Sequence, residues 1–279
     1  MTEASYGEFY NVEYRKLYEG KEAAVADSFA NEYRRGRGIF RFLRRRKLLP
    51  RAAVKPKMLE VGCGAGGVVK YFAEREWVAK GLDLGREYVD FGMSQHRLDV
   101  SVGTIRDVPS VWAPDLVVYS HVLEHVLDLG RELREVHRVL PDDGLLWIEV
   151  PGVKSLGREY ELDFLQYLQN AHTYHFTLTT LTNLLEKSDF ELVAGTEDVR
   201  SVFRKARSTS TPEIRRDYAQ ALRYLNRAER LRKIIPFTPA GCLRAFRSGL
   251  RKVLQAAGVY DLARRLYRRI VGEGGIAAC

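Results

Sequence analysis

Few cysteines, no long apolar run and no internal repeat are what this 279-residue chain first presents, and each shortage removes a class of protein. Cys63, Cys242 and Cys279 are an odd set without metal-ligand spacing, so neither a disulfide framework nor a thiolate centre is expected, and the thiols should be reduced. No stretch reaches the ~18 apolar residues of a membrane-spanning helix. Met1-Thr2-Glu3-Ala4-Ser5 lacks the basic and apolar regions of a secretory signal, so the cytoplasm is the expected location. Low-complexity tracts are also missing, which leaves a globular reading.

With 46% hydrophobic and 29% charged residues, the chain can bury one good core and carry an appendage. Its formal charge of +9 is unevenly placed: residues 208–279 hold 15 Lys or Arg against 5 Asp or Glu, and the first 207 hold 30 against 31. The basicity belongs to the tail, so the charge gives no reason to expect nucleic acid on the body.

The most informative segment is Met58-Leu59-Glu60-Val61-Gly62-Cys63-Gly64-Ala65-Gly66-Gly67. It sets an apolar strand, a tight glycine turn and a helix start in succession, the arrangement in which a backbone can approach a nucleotide-like ligand. Gly66 or Gly67 is expected to let the helix pack near the strand. Asp83 follows 21 residues after Gly62, at the end of a second apolar segment, where a parallel strand would bring a carboxylate to ribose hydroxyls. Glu60 separates two cofactor classes. A carboxylate just before the turn is poorly placed for a pyrophosphate at a helix N-terminus and well placed for a cation.

Strands are expected near 57–61, 79–83, 98–102, 115–119, 145–150, 190–194 and 199–204, alternating with helices. The fold class is α/β, a Rossmann-like doubly wound seven-stranded sheet, with Gly62, Asp83, Thr104 and Ser120 meeting at the carboxyl edge of the strands. Three regions are expected: an N-terminal helical cap over 1–50, a core over 51–207 with a lid insertion at about 152–177, and a basic helical extension over 208–279. In the extension, helices are expected at 213–235 and about 243–271. Leu243, Phe246, Leu250, Val253 and Leu254 form an apolar stripe there, flanked by Arg244, Arg247 and Arg251. Such a stripe packs on its own domain or a second subunit, giving a homo-oligomer, or lies on an anionic membrane surface.

Glu60-Val61-Gly62-Cys63-Gly64-Ala65-Gly66 resembles motif I of the class I S-adenosylmethionine-dependent methyltransferases. Asp115 through Val126 is similar to that family's fourth strand and following loop. Val139 through Pro151 resembles its fifth strand, and Phe176 through Val193 the later helix and sixth strand. The likeness spans roughly residues 1–207 and is nearest to a bacterial subgroup associated with surface glycans and O-antigens. It implies S-adenosylmethionine as cofactor, with Glu60, Gly62 and Gly64 at the methionine end and Asp83 at the ribose. Thr104 and Ile105 would lie at the adenine and Ser120 at the crevice edge, although Thr104 stands where the family often has an acid. The implied activity is methyl transfer to an oxygen of a sugar, glycan or other small hydroxylated acceptor, free or lipid-linked, with contact at the inner membrane face as an extension of that idea. N-methylation of an amino sugar is the neighbouring alternative. A non-catalytic module binding membrane or RNA through the basic tail is the distant one.

Hydroxyl methylation needs alignment and a base. His96 and His137 fall in a strand approach and a helix and are read as structural. His121, His172 and His175 are the candidate catalytic histidines, with His172 or His175 the preferred base and His121 an acceptor-facing group at the crevice edge, and Gln169 through Thr177 reads as a pocket wall. His121-Val122-Leu123-Glu124-His125 matches the H-x-x-E-H signature of inverted zinc proteases, but it directly follows a core strand instead of lying within a helix, which excludes that reading. It is also similar to the Glu-x-x-Glu-His element of ubiquinone-biosynthesis O-methyltransferases, which can hold a divalent ion. Here His121 replaces the first glutamate and makes magnesium less natural. A divalent metal is therefore the alternative. The favoured reading assigns no metal ligands and has Glu124 and His125 begin a helix.

Overall fold

The computed structural model describes residues 25–50, 55–168, 171–207, 213–234 and 253. Seven strands form one sheet: β1 (Lys57–Val61), β2 (Val78–Asp83), β3 (Val100–Val102), β4 (Leu116–Ser120), β5 (Leu145–Glu149), β6 (Phe190–Gly195) and β7 (Arg200–Lys205). Their order is β3-β2-β1-β4-β5-β7-β6. The first five are mutually parallel, and β7 runs antiparallel to both β5 and β6. All seven lie within two residues of the sequence expectation; β3 is the shortest and starts two residues late.

The central strands are buried on both faces, as parallel strands sandwiched by helices must be, and so they read as apolar runs instead of alternating patterns. Successive side chains still part company across the sheet. Leu59, Val117, Tyr119 and Ile148 join one core with helices α4 (Leu129–Val139) and α7 (Leu178–Glu186). Met58, Val118, Trp147 and Val202 join the other, against α1 (Val25–Arg45) and α2 (Gly67–Ala73). Burying side chains of this size stabilises by about 1.5–3 kcal/mol each.

α1 is the described part of the expected cap. Phe40 meets Phe72 edge-on and Phe42 meets Trp147, so this helix is bonded into the second core. Tyr6, Phe9, Tyr10, Tyr14 and Tyr18 lie outside the described residues. α3 (Arg86–His96) ends on His96, which stacks on Phe29 at a ring separation of 3.8 Å. His96 thus belongs to a helix end and not to a strand approach; the left-handed Arg97 stops the helix there. The insertion after β5 contains two single-turn helices, α5 (Leu156–Glu159) and α6 (Phe164–Tyr167). Beyond the core, α8 (Tyr218–Ile234) is shorter than expected at its start. It reaches the insertion through Ala228, which packs with Leu156 and Tyr167. The stripe from Leu243 onward, apart from Val253, lies outside the described residues, as do Cys242, Cys279, Gln169 and Asn170. No described helix is long and apolar enough to cross a membrane.

Candidate active site

The glycine turn joins β1 to α2. Gly62 and Cys63 both donate to the Leu82 carbonyl at 2.7 and 2.9 Å, which locks the turn against β2. Gly62 has a left-handed φ of +74°, and a Cβ there would come within 2.3 Å of Val122 Cγ2. The loop after β4 is thus pressed directly against the turn. Gly67 has a purpose the sequence did not reveal. A Cβ on it would strike the Phe29 carbonyl at 2.4 Å and the Tyr33 nitrogen at 2.5 Å, so its smallness admits α1 and not the strand.

Three carboxylates surround this turn. Asp83 is buried at the end of β2, and its two oxygens accept from the Gly64 and Gly85 amides, each at 2.7 Å. Glu32, reaching over from α1, accepts from the Ala65 and Gly67 amides at 3.2 and 3.0 Å. It supplies α2 with the N-terminal acceptor that its own Gly66 cannot offer. Glu60 is 2% exposed, and its Oε2 is buried without a hydrogen-bond partner among the described residues. Burial, reinforced by the Glu32 charge, holds the Glu60 carboxyl well above the usual range. Burial also pushes the Cys63 thiol up, so this cysteine is not a thiolate nucleophile. A buried carboxyl with one unbonded oxygen beside two other carboxylates disfavours a phosphate and favours a cation.

At the neighbouring strand ends the expected contacts are partly committed elsewhere. Thr104 caps the short 3₁₀ turn Ile105–Asp107: its amide and hydroxyl both donate to Asp107 Oδ2, at 2.8 and 3.1 Å. Ile105 is fully buried, and its carbonyl accepts from Arg138 at 3.3 Å. Ser120, also buried, donates to Glu149 Oε2 at 3.3 Å, and Glu149 is paired with Arg200 at 2.8 Å. Sequence reading missed Glu149 and Arg200, because their pairing crosses the antiparallel β5/β7 register.

Beyond β4 lies a second constellation. His121 has a left-handed φ of +57°, uncommon for a residue with a Cβ, and its amide donates to the Glu149 carbonyl at 2.7 Å. Glu124 and His125 do not begin a helix as expected; they complete the isolated 3₁₀ turn Leu123–His125, and α4 starts only at Leu129. The insertion is laced to this turn. Thr173 and Tyr174 amides donate to the Glu124 carbonyl at 2.8 and 3.1 Å, and His125 Nδ1 lies 2.9 Å from the Ala171 carbonyl.

Glu124 is 1% exposed, and neither of its oxygens has a hydrogen-bond partner among the described residues. His121 Nδ1 and His125 Nε2 lie 3.7 and 3.9 Å from Glu124 Oε1, too far for hydrogen bonds but close enough for strong electrostatic attraction. Burial drives Glu124 upward, but the two histidines outweigh it and hold the carboxyl below the usual range. His172 approaches from the insertion, its ring 4.9 Å from that of His125. Burial lowers it to about 4, against a smaller opposing pull from Glu124. His175 lies next to it, 5.9 Å between rings, and is also lowered by desolvation. The three candidate catalytic histidines therefore share one neighbourhood, organised by Glu124 and His125, which the favoured sequence reading leaves as a helix start. His137 instead packs edge-on against Phe190.

Comparison with known proteins agrees with this geometry. A family described as "Methyltransferase domain" matches residues 31–194. A "Probable S-adenosylmethionine-dependent methyltransferase" of Mycolicibacterium smegmatis is 31% identical over 153 residues, 53% of this chain and 56% of that protein. Ajmaline N-methyltransferase of Rauvolfia serpentina is 33% identical over 95 residues, covering 30% of this chain and 33% of the plant protein. The chain thus spans about half or less of the curated relatives it matches. Among solved structures, magnesium protoporphyrin IX methyltransferase from Synechocystis, with bound S-adenosylhomocysteine, superposes with a TM-score of 0.52 at 13% identity, covering 74% of this chain and all of that one, a likeness of fold. With the family matched across more than half its length, on the fold and glycine turn described above, the chain belongs to the class I S-adenosylmethionine-dependent methyltransferases.

Proposed function

We propose that the protein methylates an oxygen of a small hydroxylated acceptor, a sugar or glycan unit being the class we favour, in the cytoplasm. The observation that carries this reading is the half-buried His121 beside the ionised Glu124, 3.7 Å away, on a loop pressed against the glycine turn. A carboxylate stabilises the imidazolium formed when a histidine accepts a proton, the arrangement hydroxyl activation requires. S-adenosylmethionine supplies an electrophilic methyl group on a sulfonium centre. Glu60 would receive its cationic methionine end, Asp83 its ribose, and Thr104 and the Ile105 backbone its adenine, with Ser120 at the crevice edge. With the cofactor bound, the acceptor hydroxyl would take the methyl and its proton would pass to His121, whose imidazolium Glu124 would stabilise. His172 and His175, kept neutral by desolvation, line the acceptor side and help to exclude water.

N-methylation of an amino sugar needs no base, so one variant separates the readings. His121→Ala should lower kcat for a hydroxyl acceptor by ~10²–10⁴-fold with cofactor affinity unchanged. Acceptors are found by mass spectrometry over nucleotide sugars, lipid-linked oligosaccharides, amino sugars and phenols. An unchanged kcat in this variant removes His121 as base, and methylation confined to amines removes the oxygen assignment. For the basic extension, contact with an anionic membrane surface is the alternative to packing on its own domain or a second subunit; equal liposome flotation with and without residues 208–279 would exclude it.

A further inference from the structure

The geometry points to a binding site for one divalent transition ion of the zinc type, held by Glu124, His125 and His172. One donor atom from each of these side chains lies within 4.8 Å of the other two. Two features separate this cluster from an ordinary surface group of acids and imidazoles. Glu124 is nearly inaccessible, with both carboxylate oxygens lacking hydrogen bonds, and His172 Nδ1 is likewise buried without a partner. His121 and His125 attract the Glu124 carboxylate from 3.7 and 3.9 Å without hydrogen-bonding it, so a cation at bonding distance would satisfy it better. A buried carboxylate and a buried imidazole nitrogen, both without hydrogen bonds and both within reach of the His125 ring, describe a ligand set.

The supporting shell is also of the kind metal sites use. His125 Nδ1 lies 2.9 Å from the Ala171 carbonyl, and such a bond from the far ring nitrogen fixes the tautomer and turns Nε2 toward Glu124. The amides of Thr173 and Tyr174 bind the Glu124 carbonyl, so the segment carrying His172 is tied to the turn carrying the other two ligands. Two imidazoles and one carboxylate suit zinc or a neighbouring transition ion better than magnesium or calcium, which prefer all-oxygen shells. Bonds of about 2.0–2.1 Å in a tetrahedral shell would set donors roughly 3.3 Å apart. Closing from a spacing of at most 4.8 Å to that value takes up to about 1.5 Å of side-chain adjustment, shared among the three ligands.

Three protein ligands leave one position open, as in catalytic zinc sites. Resting on the oxygen-methylation reading above, that position would take the acceptor hydroxyl, ease its ionisation and leave His121 to carry off the proton. Metal binding itself does not depend on that reading.

The test uses the full chain, stripped with a chelator, dialysed and titrated with Co²⁺ as a spectroscopic probe, with Zn²⁺ stoichiometry measured in parallel. We expect one ion per chain, a visible Co²⁺ ligand-field band, and displacement of that band by Zn²⁺. His172→Ala should weaken binding at least tenfold and abolish the band, while His175→Ala, altering a neighbour outside the ligand set, should keep both. Cofactor affinity measured by calorimetry certifies that each variant is folded, and His172→Asn replaces His172→Ala if that certificate fails. Wild-type protein without stoichiometric binding, or equal Co²⁺ affinity in wild type and the folded His172 variant, overturns the site. Bound metal in a protein that methylates only amines would sink the function proposed above and leave the site standing.

Discussion

Glu60 and Glu124 are both almost wholly buried and both carry an unpartnered oxygen, Glu60 on the strand before the glycine turn and Glu124 on the loop whose Val122 presses against it, yet their surroundings drive them in opposite directions. Burial pushes the Glu60 carboxyl up, with Glu32 and Asp83 adding to the rise and Arg35 opposing it; burial also pushes Glu124 up, but His121 and His125 outweigh it and pull the carboxyl down. Burial alone would have raised both. The sign of the neighbours decides, and it divides the crevice into a half poised for an incoming cation and a half already balanced by imidazoles. On the function proposed above, one half would take the cofactor and the other the acceptor.

The contrast can be broken most severely at the His121/Glu124 pair, where the His121→Ala variant described above carries the largest expected effect. Next is Asp83→Ala, which strands the Gly64 and Gly85 amides. Each buried donor left unsatisfied costs about 1–3 kcal/mol, so thermal melting should drop and cofactor Kd rise at least tenfold. An unaltered melting temperature would show that the turn holds itself without this clamp.

A subtler measurement concerns Glu60. Its raised pKa means that free protein binds a proton near neutrality more readily than an ordinary carboxyl does. A cation placed beside it favours the ionised form, so cofactor binding should release that proton, and affinity should strengthen as pH rises from about 5 to 8. Calorimetry in buffers of different ionisation enthalpy reads the release. Glu60→Gln should abolish it and weaken binding roughly tenfold. If wild type and variant show the same buffer dependence, Glu60 does not meet the cationic end. The last variant is Glu32→Gln, which keeps an acceptor for only one of the Ala65 and Gly67 amides, turns an NH2 donor toward the other and removes one like charge from beside Glu60. It should lower the Glu60 pKa, visible as reduced proton release, and cost about 1 kcal/mol of stability for the one amide left without its acceptor.

The cofactor half was legible in sequence because its parts are local. A strand, a turn and a helix start are adjacent in the chain, and Gly62 and Asp83 are fixed by strand spacing, so all seven strands and the turn could be placed from apolar runs and glycines. The acceptor half was legible only as a set of names. His121, His172 and His175 were picked as residue types suited to proton transfer, but nothing local says that the Ala171–Tyr174 backbone folds onto the Leu123–His125 turn. Glu124 and His125 were read as a helix start, because an isolated 3₁₀ turn and the first turn of a helix share the same short-range pattern. Glu149–Arg200 and Glu32 were invisible for a related reason: each acts across a strand pair or between helices, and charge alone does not announce a distant partner.

The reach of Glu32 into the glycine turn has an implication for how this chain can be cut or trimmed. α1 precedes the sheet in sequence and would be the natural place to begin a minimal fragment. Starting instead at β1 would orphan the Ala65 and Gly67 amides, open the face of Gly67 to solvent and remove a negative neighbour of Glu60 at the same stroke. A fragment lacking this helix should therefore show altered ligand recognition even where its sheet assembles, which, on the function proposed above, makes α1 a component of the donor pocket and not a removable ornament.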